Sequence, residues 1–296
     1  LRNGDELSGE VIIGAGGSYD LVSKRIREIE NMPMNWRDED IAMALYFEVD
    51  VGREFMDDVY GEERISMAHI KYDGLDGYGW SFSKDTVLNV GIGCPRNIIK
   101  KLKSEKKGWS ERKYLLDYVE TLKEQGWFPK DIEIDRKMIS GANIPVGMGM
   151  SCTVGDRMMV VGDAGGFVSP LSGEGLYYAL DSGRLAAESL DVLFPEGNFN
   201  KQDLMHYHRA WSSKWGDDLE WLKVGWHLLM VMPNSLIKYA ALDEETKEFF
   251  THMFVGSMPA AKIKNKVLAL IAKGVLKHEV LSLMTGNKQA VPELVS

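Results

Sequence analysis

Only two cysteines, Cys94 and Cys152, occur in 296 residues. Two thiols cannot build a disulfide framework, a cysteine-rich metal site or an iron–sulfur cluster. Both read as small buried apolar side chains of a protein in a reducing compartment. Basic blocks are missing as well. The chain has 35 Lys and Arg against 44 Asp and Glu, a net charge of −9, and no basic run is longer than Lys100-Lys101. An acidic chain without a basic stripe is a poor partner for nucleic acid. No apolar run nears the ~18 residues of a membrane span, and no basic-plus-apolar signal segment opens the chain. There is also no Gly-x-Gly-x-x-Gly turn after a first strand with an acid about twenty residues on, the usual grip on a dinucleotide pyrophosphate.

What is present describes a folded protein. Apolar residues make up 45% and charged residues 27%, which excludes wholesale disorder. The length suits two domains of roughly 150 residues each. The first residue is Leu1, Arg2-Asn3-Gly4-Asp5-Glu6 reads as a hairpin tip, and Glu10 to Gly14 reads as a buried strand entering a glycine turn. An N-terminal part of the protein is therefore expected to be missing. Ser18 is positioned to cap a helix whose face is Leu21, Val22, Arg25, Ile26 and Ile29. Ile41 to Val49, Arg64 to Tyr72 and Thr86 to Ile92 are β-branched and aromatic runs separated by Asp-Gly and Lys-Asp turns, as in an antiparallel sheet. Trp109 to Gln125 carries a helical stripe of Tyr114, Leu115, Tyr118, Val119 and Leu122. Ile132 to Ile139 alternates as a strand, and Met158 to Val161 is a buried strand. Gly173 to Leu190 reads as a helix with small residues, and everything from Lys201 onward reads as helix, broken at Pro233 and Pro259. Strand–turn–helix units at both ends of an antiparallel block describe a nucleotide-binding domain whose chain leaves, builds a second sheet and returns.

Three segments carry chemistry. In Val160-Val161-Gly162-Asp163-Ala164-Gly165-Gly166-Phe167-Val168-Ser169-Pro170-Leu171-Ser172-Gly173-Glu174-Gly175, a buried strand delivers an Asp at its carboxyl end, where α/β folds bind ligands. Glycines allow close backbone approach, and the following helix start favours an anion or an electron-rich ring edge. In Gly77-Tyr78-Gly79-Trp80-Ser81-Phe82-Ser83-Lys84, the alternating Tyr78, Trp80 and Phe82 put three rings on one strand face, fit to line an elongated apolar cavity. Ile12-Ile13-Gly14-Ala15-Gly16-Gly17-Ser18 is a glycine turn after a strand. The pair His206 and His208 reads as surface histidines, because i, i+2 spacing does not share a helix face. No metal-ligand cluster and no Ser-His-Asp order stands out.

The first segment resembles the second flavin-binding motif of FAD-dependent oxidoreductases with the glutathione-reductase fold. More narrowly, it resembles the geranylgeranyl reductase family. Tyr78 to Lys84 is similar to that family's Tyr-x-Trp-x-Phe-Pro-Lys segment, with Ser83 in place of Pro and Leu75 where an upstream Pro is common. Gly14 to Ser18 resembles an internal Gly-Ala-Asp-Gly-Ser motif, with Gly16 in place of Asp.

The resemblance implies an α/β, glutathione-reductase-like FAD-binding fold, partial in this chain, with an antiparallel β substrate domain and a helical C-terminal region. Residues 1–30 and 140–195 would form a discontinuous FAD-binding domain, 31–139 the substrate-binding domain and 196–296 the helical region. FAD would meet Gly162, Asp163, Ala164, Gly165, Pro170, Gly173, Glu174, Gly175, Gly14, Ala15 and Gly17. Tyr78, Trp80 and Phe82 would hold the substrate, an isoprenoid lipid or prenyl diphosphate. No catalytic proton donor is assigned. The implied reaction is reduction of C=C bonds in geranylgeranyl chains by hydride from reduced flavin, in membrane-lipid metabolism. NADPH or a ferredoxin-like protein would supply electrons. The expected location is cytoplasmic, with the Trp221 to Met232 helix packing in the core or touching a membrane surface. The alternatives are another flavoprotein, either a quinone-linked dehydrogenase or a hydroxylase, and a truncated non-catalytic isoprenoid-binding relative.

Overall fold

The computed structural model describes residues 8–147 and 149–231, together with Glu6, Glu248, Thr251 and Ala269. All but Glu6 of the hairpin tip expected over residues 2–6, and the breaks expected at Pro233 and Pro259, lie outside the described residues. In chain order the elements are β1 (Ile12–Gly14), α1 (Leu21–Ile29), β2 (Ile41–Asp50), α2 (Arg53–Tyr60), β3 (Met67–Ile70), β4 (Tyr78–Lys84) and β5 (Val87–Pro95). Then come α3 (Arg96–Glu105), α4 (Glu111–Glu124), β6 (Ser140–Pro145), β7 (Val154–Gly155), β8 (Met158–Val160), α5 (Leu176–Leu193), α6 (Lys201–Trp211) and α7 (Asp217–Val231).

Two sheets result. The smaller has the order β1-β8-β7, with β1 parallel to β8 although nearly 150 residues separate them. The larger is an antiparallel sheet ordered β3-β4-β5-β2-β6. It extends through Pro145, because β6 pairs with β2 from Tyr46↔Ser140 to Ile41↔Pro145. Strand β6, which begins at residue 140 where the return to the first domain was expected, is thus an edge strand of the larger sheet.

Alternation along β2 and β5 decides the faces of the large sheet. Met43, Leu45, Phe47, Leu88, Val90 and Ile92 belong to one core with α4, whose predicted stripe from Tyr114 to Leu122 is buried. Ser110 caps α4 through the Lys113 N–H at 3.3 Å. Gly79 is required in β4, since a Cβ there would lie 2.7 Å from the Tyr118 ring.

Several expectations are corrected. Asp20, not Ser18, caps α1, accepting the Ser23 N–H at 2.7 Å. Ile12 and Ile13 are 59% and 44% exposed rather than buried, because β1 is an edge strand with β8 as its partner. Ile132 to Ile139 is not a strand. Asp135 accepts the Lys137 N–H at 2.9 Å and turns the chain, a local bond that competes with sheet pairing. The helices α2 and α3 interrupt and follow the strand block, burying Met56, Tyr60 and Ile99. The helix after the glycine turn begins at Leu176 instead of Gly173. His206 is exposed as expected, but His208 is half-buried, with Nδ1 3.0 Å from Thr153 Oγ1. Among the described residues no helix is long and apolar enough to cross a membrane, and no cluster of metal-ligating side chains occurs.

Candidate active site

The second face of the large sheet is unlike the first. Pairing register sets Trp80 opposite Gly91, Gly91 opposite Tyr46, and Gly93 opposite Ala44. Strand alternation puts Tyr78, Trp80 and Phe82 in a row, with ring centroids 5.7 and 5.9 Å apart. The Trp80 indole donates to Asn89 Oδ1 at 2.7 Å. Gly91 makes room for that indole: a Cβ there would lie 2.2 Å from Trp80 Cζ2. Gly91→Ala is therefore expected to displace the ring and destabilise the fold by about 1–3 kcal/mol. Urea unfolding measures this, and a shift below about 0.5 kcal/mol, the range of neutral surface changes, would show that the ring is not held.

A cavity of about 430 Å³ lies on this face. Ala42, Ala44, Trp80, Tyr78 and Gly93 form the sheet wall, and Pro170, Leu171 and Gly173 form a second wall. The third wall comes from α7, where Lys223, Trp226, His227 and Met230 follow the spacing of one helix face. Phe82 is not part of the lining; it stacks behind Trp80. Glu39, Asn97 and His227 are exposed at the rim, while Trp80, Cys94, Leu171 and Met230 are buried. Burial pushes the Cys94 thiol up to about 12, with the Glu111 and Asp76 carboxylates adding to it, so it stays protonated.

Polar contacts hold α7 over the cavity. Lys223 Nζ lies 3.0 Å from Asp40 Oδ1, and Arg37 Nε donates to Asp40 Oδ2 at 2.6 Å. Burial alone would raise the Asp40 carboxyl, but Arg37 and Lys223 outweigh it and hold it below the usual range. Lys71 Nζ donates to the Met230 carbonyl at 2.8 Å and pairs with Asp76 at 3.0 Å.

The second wall is the glycine turn. Residues 162–165 make one tight helical turn after β8. Gly166 has φ +76°, and a Cβ there would lie 2.4 Å from Trp36 Cη2. The chain then folds back: the Ser169 N–H donates to the Glu174 carbonyl at 2.7 Å, and the Gly173 N–H to the Ser169 carbonyl at 2.9 Å. Gly173, at φ +72°, would place a Cβ 3.5 Å from Tyr78 Oη. Tyr78 Oη donates to the Ser172 carbonyl, tying the aromatic strand to this turn. Burial pushes the Tyr78 phenol up to about 12, so it remains a donor at neutral pH. Glu174 accepts the Tyr177 N–H at 2.8 Å in the first turn of α5; Gly175 is the N-cap of that helix.

Asp163 is half-buried at the mouth of this turn. Among the described residues its carboxylate accepts only its own backbone N–H, and burial pushes it up. Gly162 beside it donates its N–H to Ser182 Oγ at 2.9 Å, fixing the turn on α5. Ala164 and Gly165 face inward: Ala164 packs with Ile26 and Val160, and the Gly165 carbonyl accepts the Met150 N–H at 2.8 Å.

The loop after β1 reaches the same place. Trp36 Nε1 donates to the Ser18 carbonyl at 3.3 Å while its ring abuts Gly166. Ala15 is exposed, Gly17 has open space around its Cα, and Gly14 must be glycine because a Cβ would meet Asp20 Oδ1 at 2.3 Å. Tyr78, Trp80, Pro170 and Gly173 thus line one cavity, and the turn that begins at Gly17 packs against the turn that holds Asp163. Sequence reasoning missed the α7 residues, whose 223, 226/227, 230 spacing was a usable signal. It also missed Ala42 and Ala44, which carry no signal of their own.

No family model matches the chain. Among curated proteins it is 34% identical over 176 residues to a digeranylgeranylglycerophospholipid reductase of Methanococcus aeolicus, covering 58% of this chain and 41% of that one. It is 32% identical over 219 residues to the enzyme of the same name from Methanoculleus marisnigri, covering 73% and 48%. A geranylgeranyl bacteriochlorophyll reductase-like protein of Thermoplasma acidophilum shares the fold with a TM-score of 0.62 at 17% identity, over 94% of this chain and 62% of that one. The curated relatives that this chain resembles at 32–34% identity are thus geranylgeranyl reductases. This chain spans less than half the length of the two curated relatives. The expected architecture, a partial glutathione-reductase-like α/β fold with an antiparallel sheet and following helices, is the one observed.

Measured against the geranylgeranyl reductase pattern, each departure has a structural counterpart. Ser83, in place of Pro, donates its hydroxyl to the Ile65 carbonyl at 2.9 Å and fastens β4 to the chain before β3. Leu75 fills the core. The acid absent at Gly16 comes from Asp20, whose Oδ2 accepts the Gly16 N–H at 2.9 Å. The capping Asp of α1 therefore also orders the glycine loop after β1.

Proposed function

We propose that this chain is the substrate-bearing part of an FAD-dependent reductase acting on C=C bonds of isoprenoid chains. The observation that carries the reading is the cavity itself, walled by the aromatic row and small residues on one side and by the Pro170–Gly173 turn on the other. An apolar cleft beside a glycine turn is where an alkene would lie next to a flavin ring.

The residues present fit FAD. Gly17 leaves open the space that a side chain would occupy, and a Cβ at Gly173 would meet only Tyr78 Oη, at 3.5 Å. Asp163 presents a half-buried carboxylate in want of a donor, as a ribityl or ribose hydroxyl is. Reduced FAD, when bound, supplies the hydride for one alkene carbon, and a proton on the other completes saturation. The chain's own groups do the rest. Asp163 binds, the 170–173 turn and Tyr78 set the wall, Trp80 and Leu171 hold the alkene, and α7 keeps water out. The exposed Glu39, Asn97 and His227 leave a polar rim for the head group of a lipid or prenyl diphosphate. The electrons would come from NADPH or a ferredoxin-like donor, and the substrate from a membrane surface that a cytoplasmic protein touches peripherally.

The test is an anaerobic assay of the protein loaded with FAD, chemically reduced, with geranylgeranylated glycerol ethers and geranylgeranyl diphosphate as alternative substrates. Mass spectrometry is expected to show gains of two hydrogens per double bond. Flavin binding without saturation of either substrate would sink the reductase reading. Substrate-dependent oxygen consumption would move it to the hydroxylases.

A further inference from the structure

The chain has no long basic run, and its net charge is −9. Its positive charge is nonetheless uneven. Residues 96 to 113 hold eight Lys and Arg against two Glu, so the remaining residues carry −15. This stretch is α3, a short turn and the start of α4. The fold draws it onto one surface. The Trp109 N–H donates to the Lys106 carbonyl at 3.1 Å and closes the turn, and Lys103 reaches across it to Glu111 at 2.5 Å. Ile99 and Leu102 anchor α3 in the core of the large sheet, which leaves its lysines outward.

Two features set this surface apart from ordinary solvated lysines. Lys101, Lys106, Lys107, Arg112 and Lys113 are all exposed, and none pairs with a carboxylate among the described residues. Nearby acids are already taken: Asp38 by Arg96 and Lys100, Glu39 by Arg37, and Asp76 by Lys71. The second feature is place. The first turn of α3 supplies Asn97 and Ile98 to the cavity lining, and Lys101 follows one turn on.

We propose that α3 and residues 106–113 form a docking surface for an anionic lipid bilayer, which sets the cavity mouth against the leaflet. The choice of a membrane over an acidic protein rests on the cavity being an isoprenoid-lipid site. A lipid whose head group stays in the leaflet delivers its chain only through a mouth that faces the leaflet. Charge complementarity supplies the attraction. The overall negative charge repels an anionic surface, but salt screens that repulsion beyond about 10 Å, and at contact the patch dominates. Each basic residue near such a surface is worth roughly fivefold in affinity.

The experiment is sedimentation of the full chain with vesicles of phosphatidylcholine, alone or mixed equally with phosphatidylglycerol. Wild type is expected to bind the mixed vesicles at about 50 mM salt, to leave them at about 500 mM, and to ignore phosphatidylcholine. Lys101→Gln/Lys106→Gln/Lys107→Gln is expected to bind about 100-fold more weakly. Lys130→Gln/Arg136→Gln/Lys137→Gln, an equal charge change at exposed residues outside this stretch, is expected to bind nearly as wild type. Equal loss in both variants, equal binding to both vesicle types, or capture of an acidic ferredoxin without binding to vesicles overturns the assignment. Quenching of tryptophan fluorescence by geranylgeraniol in detergent checks the cavity separately, since Trp80 and Trp226 line it. No quenching, with vesicle binding lost only in the first variant, removes the isoprenoid reading and leaves the docking surface standing.

Discussion

Asp163→Asn should cost the protein its flavin and at the same time make the flavin-free chain more stable. The half-buried carboxylate has no donor but its own backbone N–H among the described residues, and burial pushes it up. An acid whose folded value lies above its unfolded value binds more protons folded than unfolded. Stability is then greatest below the unfolded value and falls as pH rises through the folded one. At neutral pH the carboxylate is thus a liability that only a donating ligand offsets. Asparagine removes the liability and the charge-assisted bond together. Retention of FAD should fall about 10- to 100-fold, the range of one hydrogen bond to a charged group. The unfolding midpoint of the flavin-free variant should exceed wild type at pH 7–8 and converge with it near pH 4. Equal FAD affinity in both proteins would remove Asp163 from the cofactor site. Equal flavin-free stability at all pH values would mean that its burial carries no cost.

Trp80→Ala should abolish most turnover of long prenyl substrates while flavin stays bound. The ring is 8% exposed, stacked on Phe82, tilted against Tyr78, and fixed by Asn89. It forms cavity wall. Losing a buried aromatic side chain costs about 3–5 kcal/mol of stability, so the assay must be run where the variant is folded. Under those conditions kcat/KM for a geranylgeranyl substrate is expected to drop about 100-fold, equivalent to about 2.7 kcal/mol of lost contact in the transition state. Trp80→Phe, which keeps a ring but not the Asn89 bond, should fall between the two. Loss of flavin before loss of substrate binding would show that the aromatic row is a structural support for the cofactor loops.

Much of this molecule was legible in its sequence, because the signals are local. Strand alternation in β2 and β5, the α4 stripe and the three-ring row of β4 follow from periodicities that neighbouring residues impose on one another. The glycine turn at 162–175 is legible for the same reason. Positive φ at Gly166 and Gly173 is a property of the chain at those residues, and an Asp at a strand's carboxyl end is visible in order. Other features needed the third dimension. Asp20 takes over the acid missing at Gly16 because α1 turns its capping carboxylate back onto the loop. Residues 132–139 fail to pair because Asp135 bonds to the backbone first.

The cavity is the clearest case. Ala44, Gly93, Gly173 and Met230 are spread over nearly 190 positions, and nothing in their identities marks them as neighbours. Sheet register brings the first two together, the Tyr78 bond to Ser172 brings the third, and the Lys71 and Lys223 contacts bring α7. The sequence by itself determined which segments could be strands, helices and a cofactor turn, since those depend on contacts within a few residues. Only the tertiary structure decided which small residues make room for another side chain and which line a cavity. That distinction depends on what stands opposite each small residue: the Trp80 ring fills the space at Gly91, whereas Gly93 and Ala44 line the cavity.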